Sequence, residues 1–370
     1  MTDKKLHVAV IFGGRSGEHE VSLMSARSVL SVLDPAKYEV TQIGITHEGT
    51  WLTGADVLGK FETDKTDELL PVLVSPDPSE NGIYILKDGS LEKLTDVDVY
   101  FPVLHGTYGE DGTLQGVFEM ADAAYVGAGV VGSAVGMDKG IFKDVMAANH
   151  IPVLETIVVL RAEIENDMDS VIKKAEAMSA YPFFTKPANL GSSVGVTKCN
   201  NRSDLQEGLM EAVAFDRRIL IQKGIRNARE IEVGVLGNDD PVASVCGEVL
   251  PSREFYSYES KYIDGTYGLI IPAPLSEEIS DCIRTYAVDA YKAVDCAGMA
   301  RVDFFVEKDS NRVYLNELNS IPGFTTISMY PKLWQASGLP YSKLVDRLIE
   351  LAMERKADRE RTTHTYRRSR

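Results

Sequence analysis

The pattern of apolar positions predicts that the chain opens with a strand, a helix and a second strand. Residues 7–14 (HVAVIFGG) are an apolar run ending in two glycines, which is typical of a buried strand followed by a tight turn. In the next segment apolar side chains recur at helical spacing, at Leu23, Leu30 and Leu33. Residues 38–46 (YEVTQIGIT) follow as the next strand, so the pattern predicts a βαβ unit with a parallel sheet.

Hairpins and a second unit are predicted next. Residues 50–98 contain clusters of Pro, Gly and Asp, which favours hairpins or insertions, and residues 96–106 predict a buried strand that ends at a loop over 105–112. A second unit starts near Met137 with a helix. It continues with a strand at 181–187 and a Gly/Ser loop (ANLGSSVGV).

The third unit is predicted to end in a long amphipathic helix (PYSKLVDRLIELAMERK). Before that helix the pattern gives two strands (EIEVGVLGN and PVASVCGEV), a loop over 251–268, a helix over 276–297 and a β-hairpin over 300–319. The polar end of the chain (RTTHTYRRSR) predicts a disordered tail.

Four polar residues stand in the predicted hairpin. Arg301 and Asp303 are two residues apart on one strand, and Glu317 and Asn319 are two apart on the other, so each pair shares a face. Pairing the strands brings all four together, and carboxylate and amide oxygens suit Mg²⁺, particularly with phosphates. A surface salt-bridge cluster is the alternative. The segment NSIPGFT, with a glycine backbone and small hydroxyls for a small substrate, favours a site.

Two lysines are candidates for binding an anion. Lys186 precedes a loop in which Gly191 and Gly195 flank two serines, and backbone N–H groups of such a loop can wrap polyphosphate oxygens. Lys139 lies in the first turn of its helix, where a cation opposes the macrodipole unless an anion binds there. An ordinary turn and a solvated lysine are the alternatives. The first turn lacks GxGxxG and GxxxxGK[ST], so neither a dinucleotide site nor a P-loop is predicted.

Composition excludes several classes of protein. The 370 residues are 44% hydrophobic, without an apolar run near the roughly 20 residues that span a bilayer. A net charge of −16 argues against nucleic acid or an anionic membrane as the main partner. The four cysteines form no CxxC pair, and VAVIF is too short for a signal peptide. We therefore expect reduced thiols and a cytoplasmic protein.

Taken together, these features resemble the ATP-grasp fold. The pattern is a lysine near a helix start, a lysine before a glycine loop, RVDFF and then NELNSIPG. More closely, the chain resembles the D-alanine–D-alanine ligase family from about His7 to about Glu354. The motifs that carry this resemblance are FGGRSGEHEVS, LHGTYGEDGTLQG, KPANLGSSVGV, REIEVGVLGN and EFYSYESKYID. Each motif is modest, but their order and joint presence are specific.

The resemblance implies an α/β (α+β) fold with three domains around one active site. The N-terminal Rossmann-like (pre-ATP-grasp) domain is expected over residues 1–137 and the central ATP-grasp subdomain over 138–226. The C-terminal ATP-grasp subdomain is expected over 227–357, with a lid loop at 251–268 and a disordered tail at 358–370. A homodimer is the oligomeric state that the family implies.

The resemblance also implies a reaction that serves peptidoglycan precursor synthesis. ATP phosphorylates the carboxylate of a first D-alanine, and the amino group of a second attacks the acyl phosphate, giving D-alanyl-D-alanine, ADP and phosphate. Such a site must neutralise charge, align the reactants and exclude water. Two Mg²⁺ (or Mn²⁺) ions are implied. Their ligands match Asp303, Glu317 and Asn319, with Glu317 able to bridge the two ions.

The nucleotide-binding positions of the family carry over residue by residue. Lysines on the ATP phosphates match Lys139, Lys186 and, in the lid, Lys261. The glycine loop adds Ser192 and Ser193. The adenine and ribose positions match Gln222, Lys223, Ile225 and Glu230. Many members have glutamate where this chain has Gln222, but a glutamine oxygen also accepts a hydrogen bond from the adenine amino group.

The substrate positions carry over in the same way. Glu18 matches the residue that takes the ammonium group of the first D-alanine, and His105 matches a histidine beside it. A helix N-terminal carboxylate and a structural histidine are the respective alternatives. Arg301 and the backbone N–H of Gly323 match the groups that stabilise the tetrahedral intermediate. The carboxylate pocket for the second D-alanine matches Ser328 and the backbone of Met329.

The predicted lid bears on substrate choice. Segment 251–268 is rich in aromatic residues, which suits a lid that closes over a site, although a surface loop is the alternative. In the family a tyrosine at the Tyr262 position links to Glu18 and Ser192 across the closed site. That tyrosine marks dipeptide formation, and ligases that make D-Ala-D-lactate usually lack it.

Other functions remain open at this point. A D-Ala-D-Ser or D-Ala-D-Lac ligase of the same fold is the near alternative; Tyr262 and the small pocket around Ser328 argue against D-lactate. The motif GGRSGEHEVS argues against a carboxylase or a purine-pathway ligase. A catalytically silent nucleotide-binding protein would normally lack a metal ligand or a phosphate lysine, and this chain has them all.

Overall fold

The computed structural model arranges the chain around three β-sheets that follow one another along the sequence. It describes residues 4–80, 82–192, 194–250 and 268–363. Within these ranges the sheets have seven, four and five strands, and none of the helices there has the length and apolar content that a bilayer crossing requires. Ser193, Lys261, Tyr262 and most of the predicted lid lie outside the described residues.

The N-terminal sheet confirms the predicted βαβ opening. Strand β1 (Leu6–Gly13) pairs in parallel with β2 (Tyr38–Ile45) and β7 (Val99–Pro102), and helix α1 (His19–Leu30) connects the first two strands. From Val8 to Phe12 every β1 side chain is fully buried, as expected of a parallel strand covered on both faces. The predicted hairpins are short antiparallel strands at the sheet edge, with one small helix between them: β3 (Trp51–Thr53), α2 (Val57–Glu62), β4 (Leu70–Val74), β5 (Ile83–Lys87) and β6 (Ser90–Thr95).

Two helices that the pattern did not predict lead into the second unit. They are α3 (Thr113–Met120) and α4 (Val130–Met137). Helix α4 is short and contains two glycines, so its sequence carries little helical periodicity. Helix α5 (Lys139–Ala148) follows, and the Asp138 carboxylate accepts hydrogen bonds from Gly140 N and Ile141 N, both at 3.0 Å. This cap places Lys139 at the first position of the helix.

The central sheet is antiparallel, and two helices pack on one of its faces. Its strands are β8 (Thr156–Leu160), β9 (Phe183–Pro187), β10 (Thr197–Cys199) and β11 (Arg218–Lys223), in the order β10-β9-β11-β8. The helices are α6 (Arg161–Met178) and α7 (Arg202–Ala212). Phe183, Ile219 and Ile221 pack against them. Because side chains alternate along a strand, Lys186 and Gln222 lie on the opposite, open face.

The C-terminal sheet is also antiparallel, with the order β14-β13-β12-β15-β16. These strands are β12 (Ala228–Gly237), β13 (Val242–Leu250), β14 (Gly268–Ile270), β15 (Gly298–Glu307) and β16 (Val313–Asn319). Helix α8 (Glu277–Ala293) covers one face, where it packs on Val233, Val302 and Phe304. The helix is shorter than predicted and is followed by Asp295 in the left-handed region at φ 54°.

The last two helices tie the C-terminal sheet to the N-terminal one. Helix α9 (Met329–Ala336) packs against Gly234 and Gly247, where an added Cβ would lie 2.8 Å from side-chain atoms of the helix. Helix α10 (Tyr341–Arg359) buries Leu344 and Leu348 in the same core as β1. It extends two residues into the predicted tail, and residues 364–370 lie outside the described part. The domain boundaries at 137/138 and 226/227 stay a prediction.

Candidate active site

A cleft lies between the open face of the central sheet and the C-terminal sheet. Its main cavity has a volume of about 630 Å³ and is lined from both sheets, which is in the range of small-molecule sites. A smaller cavity of about 80 Å³ adjoins it and is lined partly by the N-terminal domain. The residues that line both are Gly191, Ser192, Glu232, Arg301 and Glu317. The three units therefore meet at one place.

The hairpin β15–β16 brings together the four polar residues that the sequence singled out. Arg301 lies opposite Asn319, and Asp303 lies opposite Glu317, so the predicted pairing is confirmed. Residues opposite one another on neighbouring strands have side chains on the same face. That face lines the cleft, while the apolar residues between them pack under α8.

Arg301 forms a bidentate ion pair within this group. Its Nε and Nη2 each lie 2.7 Å from an oxygen of Asp303, and Nε also lies 2.9 Å from Oε2 of Glu232. The amide of Asn319 donates to Asp303 Oδ2 at 3.1 Å. Burial lowers the pKa of Arg301, but the charges of Asp303 and Glu232 outweigh burial and raise that pKa well above its usual value. The guanidinium therefore carries a permanent positive charge inside the cleft.

The two predicted lysines approach the hairpin from the other wall. Lys139 Nζ donates to the carbonyl of Leu190 at 2.7 Å and lies 3.5 Å from Glu317 Oε2. Lys186 is buried, with Nζ 3.4 Å from Gln222 Oε1. Glu317 therefore offsets the unfavourable position of Lys139 at the helix start. Both ammonium groups line the larger cavity.

Lys143 also approaches this hairpin, and the sequence analysis did not single it out. It lies one helical turn after Lys139, is buried, and donates from Nζ to the carbonyl of Asn316 at 3.2 Å. Burial, together with the positive charge of Lys186, lowers the pKa of Lys143 to about 7. The signal that could have found it is the four-residue spacing, which places both lysines on one helix face.

Glu18 and Ser192 come together from different domains. Glu18 precedes α1, and the Ser192 hydroxyl donates a hydrogen bond to its Oε1. An added Cβ at Gly191 would lie 2.6 Å from Glu18 Oε2, so the loop approaches the carboxylate closely because that residue is glycine. The predicted partner Tyr262 and the phosphate lysine Lys261 lie outside the described residues.

His105 occupies the smaller cavity wall with both ring nitrogens engaged. Nε2 lies 2.9 Å from the Ser25 hydroxyl and Nδ1 lies 2.9 Å from the carbonyl oxygen of Ile321. Burial lowers the pKa of the His105 imidazole. The ring is thus held in place by the protein and faces the predicted substrate position.

Glu110 is a second residue that the sequence analysis missed, although it lies in the motif LHGTYGEDGTLQG. Its carboxylate accepts hydrogen bonds from Gly106 N at 2.8 Å and from Ile321 N at 2.9 Å. Burial, reinforced by the nearby charge of Glu18, raises the pKa of Glu110 to about 8. Glu110 and His105 together hold the two backbone polar groups of Ile321, which fixes the loop that leads to Gly323.

The loop after β16 and the start of α9 complete the smaller cavity. Ser328 is the N-cap residue of α9, and its Oγ accepts a hydrogen bond from Thr325 N at 3.1 Å. An added Cβ at Gly323 would lie 3.1 Å from that Oγ. Met329 is buried at the first position of the helix. All three predicted residues, Gly323, Ser328 and Met329, therefore line one cavity.

The predicted adenine and ribose residues also line the larger cavity. Gln222 and Lys223 end β11, Ile225 follows in the connection to β12, and Glu230 lies on β12. Phe184, Phe305 and Leu154 supply apolar walls there. Apolar walls combined with a few polar groups suit a purine base.

The cleft contains charges of the two kinds that a nucleotide and a metal ion require. Asp303 and Glu317 line the larger cavity together with Lys139 and Lys186, and Asn319 lines the adjoining smaller cavity. Hard oxygen ligands of this kind suit Mg²⁺, and the lysines suit phosphate. The two antiparallel sheets with this cleft between them are the arrangement that the ATP-grasp class of fold has.

Comparison with known proteins narrows the class to one family. Residues 7–128 match the family described as D-ala D-ala ligase N-terminus, and residues 145–350 match D-ala D-ala ligase C-terminus. A D-alanine–D-alanine ligase of Caldicellulosiruptor bescii is 50% identical over 351 residues, covering 95% of this chain and 96% of the relative. The chain belongs to the D-alanine–D-alanine ligase family.

Solved structures agree with this fold. The VanG D-Ala:D-Ser ligase of Enterococcus faecalis superimposes with a TM-score of 0.84 at 35% identity, covering 94% of this chain and all of that one. The D-alanine–D-alanine ligase of Coxiella burnetii gives a TM-score of 0.79 at 36% identity, covering 96% and 98%. The predicted α/β ATP-grasp fold with an N-terminal domain is thereby confirmed.

Proposed function

We propose that this enzyme uses ATP to join two D-alanines into D-alanyl-D-alanine through an acyl phosphate. The observation that carries the proposal is the single cleft in which Arg301, Asp303 and Glu317 face Lys139 and Lys186. A carboxylate is a poor electrophile and repels ATP, so its activation needs this concentration of positive charge and metal ligands. The product serves peptidoglycan precursor synthesis.

Two Mg²⁺ (or Mn²⁺) ions fit the donor set on the hairpin. Asp303, Glu317 and Asn319 would hold them, because their side chains share one face of β15–β16. On that face Asp303 and Glu317 line the larger cavity, and Asn319 lines the smaller one. When bound, such ions neutralise phosphate charge and act as Lewis acids. Lys139 and Lys186 bind the phosphate oxygens, and Gln222, Lys223, Ile225 and Glu230 bind the nucleoside.

The smaller cavity is the place for the amino acids. Glu18 takes the ammonium group of the first D-alanine, and Ser192 keeps the carboxylate of Glu18 oriented. Arg301 and the N–H of Gly323 stabilise the tetrahedral intermediate. Removing one such donor typically raises a barrier by about 2.7–4 kcal/mol. Ser328 and the N–H of Met329 bind the carboxylate of the second D-alanine at the start of α9, where the helix dipole favours an anion.

The second substrate is proposed to be D-alanine, with D-serine as the alternative. The curated relative cited above is named for D-alanine, whereas the VanG structure is named for D-serine. The family further supports a homodimer that acts in the cytoplasm on small molecules rather than on nucleic acid or membranes. Sedimentation of the full chain tests the dimer.

The deciding experiment is product analysis after incubation with ATP, Mg²⁺ and D-alanine, with D-serine and D-lactate as competitors. We expect D-alanyl-D-alanine as the main product and phosphate release that depends on D-alanine. A main product containing D-serine would replace the proposal by its alternative. Phosphate release without added D-alanine, or none at all, would contradict both.

A further inference from the structure

Glu232 is a buried carboxylate in the site to which none of the roles above is given. It lies on β12 directly opposite Asp303, and Asp303 lies directly opposite Glu317. The three carboxylates therefore form a row across three neighbouring strands. Only 7% of Glu232 is exposed. A carboxylate buried this far is costly unless a positive charge compensates it.

Arg301 supplies compensating charge, and its Nε–H faces two carboxylates at once. Nε of Arg301 lies 2.7 Å from Asp303 Oδ1 and 2.9 Å from Glu232 Oε2. One N–H forms one well-aligned hydrogen bond, and here that bond goes to Asp303. Glu232 stands at ion-pair distance on the other side of the same nitrogen.

Asp303 is committed to Arg301 through both oxygens. Its Oδ1 and Oδ2 each accept from the guanidinium at 2.7 Å, and Oδ2 also accepts from Asn319. These hydrogen bonds occupy three of the roughly four lone-pair sites of the carboxylate, so a cation that draws an oxygen of Asp303 toward it weakens the hold of Asp303 on the guanidinium. Breaking one side of a buried ion pair is strongly unfavourable when the remaining charge has no other partner.

We propose that Glu232 is a positioning residue that takes over the Nε–H of Arg301 when Asp303 turns toward the metal. This inference rests on the proposed metal role of Asp303. The exchange leaves the guanidinium paired and aimed into the cavity, where the reaction needs it. Glu232 thus lowers the cost of metal entry without ligating the ion itself.

A simpler role would be that Glu232 attracts cations by its charge alone. Two variants separate the possibilities: Glu232→Gln keeps the shape and removes the charge, whereas Glu232→Asp keeps the charge and shortens its reach by one methylene. The exchange requires reach as well as charge, so both variants should impair metal binding. If Glu232 acts by its charge alone, only Glu232→Gln should impair metal binding.

Glu248→Gln is the matched control. Glu248 lies on the adjacent strand β13 and is only 6% exposed. Its Oε1 and Oε2 accept hydrogen bonds from Nε and Nη2 of Arg229 at 2.8 and 2.6 Å. It lies opposite Ile231, so its side chain is on the face under α8 rather than in the cleft. The control therefore removes a comparable buried ion pair from the same sheet outside the site.

The test is Mn²⁺ binding to the full chain with a saturating non-hydrolysable ATP analogue, measured by electron paramagnetic resonance of the free ion. We expect about tenfold weaker binding for both Glu232 variants, in the range for partners that orient a metal ligand, and wild-type binding for the control. Wild-type affinity in either Glu232 variant, or equal weakening in the control, overturns the proposal.

Kinetics give a second readout. In Glu232→Gln the Mg²⁺ concentration for half-maximal rate should rise about tenfold, with kcat recovered at saturating Mg²⁺. A loss of kcat that excess Mg²⁺ does not restore overturns the inference. If the wild-type protein itself forms no dipeptide, the proposed function fails, whereas the comparison of Mn²⁺ affinities still tests Glu232.

Discussion

The Ser192 hydroxyl donates a hydrogen bond to the carboxylate of Glu18, although the two residues are 174 positions apart in the chain. Glu18 begins the first helix of the N-terminal domain, and Ser192 lies in the glycine loop of the central sheet. Ser192 lines both cavities, and Glu18 lines the smaller one. The hydrogen bond therefore couples the position of the phosphate loop to that of the residue proposed to hold the first D-alanine.

Glu18→Gln should weaken binding of the first D-alanine. The ammonium group would lose its counter-charge, and hydrogen bonds to charged groups contribute about 1.5–3 kcal/mol, so we expect KM for D-alanine to rise about 10- to 100-fold. Initial rates against D-alanine concentration measure it. Glu20→Gln, which changes an exposed carboxylate two residues away, is the control. An unchanged KM in Glu18→Gln would remove this residue from the substrate site.

Glu317→Gln should abolish turnover while the protein stays folded. The variant keeps the side-chain shape but loses the charge that faces Lys139 and the proposed ions. Loss of about 3 kcal/mol of barrier stabilisation lowers the rate by more than about 100-fold. Phosphate release measures the rate, and circular dichroism checks the fold. Glu307→Gln, at the turn end of the same hairpin, should retain activity. Normal turnover by Glu317→Gln would end the metal assignment.

Glu110 should make stability fall as pH rises through neutrality. In the folded protein its carboxyl keeps a proton up to about pH 8, whereas the usual value is 4.5. Between these values the folded state binds more protons than the unfolded chain, so its contribution to the free energy of unfolding decreases as pH rises. The advantage of wild type over Glu110→Gln should shrink by about 2 kcal/mol between pH 5.5 and 7.5. Urea unfolding of both proteins at the two pH values measures this; a constant difference would contradict it.

Lys143 should make the free energy of unfolding rise with pH in the alkaline range, which is the opposite of the effect of Glu110. Its ammonium loses its proton near pH 7 in the folded protein but near 10.5 in the unfolded chain. Between these values the unfolded chain binds more protons, so the free energy of unfolding rises with pH. Wild type should gain about 2 kcal/mol relative to Lys143→Met between pH 7.5 and 9. The same urea experiment tests it, and parallel pH profiles of the two proteins would show that the lysine stays charged.

Tyr262→Phe should increase the share of D-Ala-D-lactate in a competition between D-alanine and D-lactate. This prediction comes from the family resemblance, in which a tyrosine at this position marks dipeptide formation. The two products are separated and quantified by mass spectrometry. Tyr330→Phe, a buried tyrosine bonded to Val235 O at 2.9 Å, serves as the control for loss of a hydroxyl. An unchanged product ratio would count against the role given to Tyr262.

The hairpin site was predictable because strand geometry is local. A period of two residues places Arg301 with Asp303 and Glu317 with Asn319, and a short connection allows only a few registers. The structure has the register that brings all four together. The βαβ opening was predictable for the same reason, because each of its strands is a continuous run of residues whose pattern can be recognised locally.

Helices α3, α4, α6, α7 and α9 were not predicted. Their apolar positions are few or interrupted by glycine, and packing against a sheet stabilises them more than their own propensity does. Lys139 and Lys186, by contrast, were predicted from the sequence to bind an anion, with an ordinary solvated lysine as the alternative. In the structure Lys139 lies against Glu317 and Lys186 is buried, so neither is a solvated surface lysine, and anion binding by the two stays a prediction.

The sequence by itself determined the strands and helices that show a regular apolar pattern within one stretch of the chain. It also determined the candidate metal ligands on one hairpin. Only the tertiary structure decided that Glu110 holds Ile321, that Lys143 reaches Asn316 and that Glu232 stands beside Arg301. The physical reason is that a buried charge acquires its partner from chain segments far away in sequence. The pKa and the role of each such group follow from that partner and from its burial.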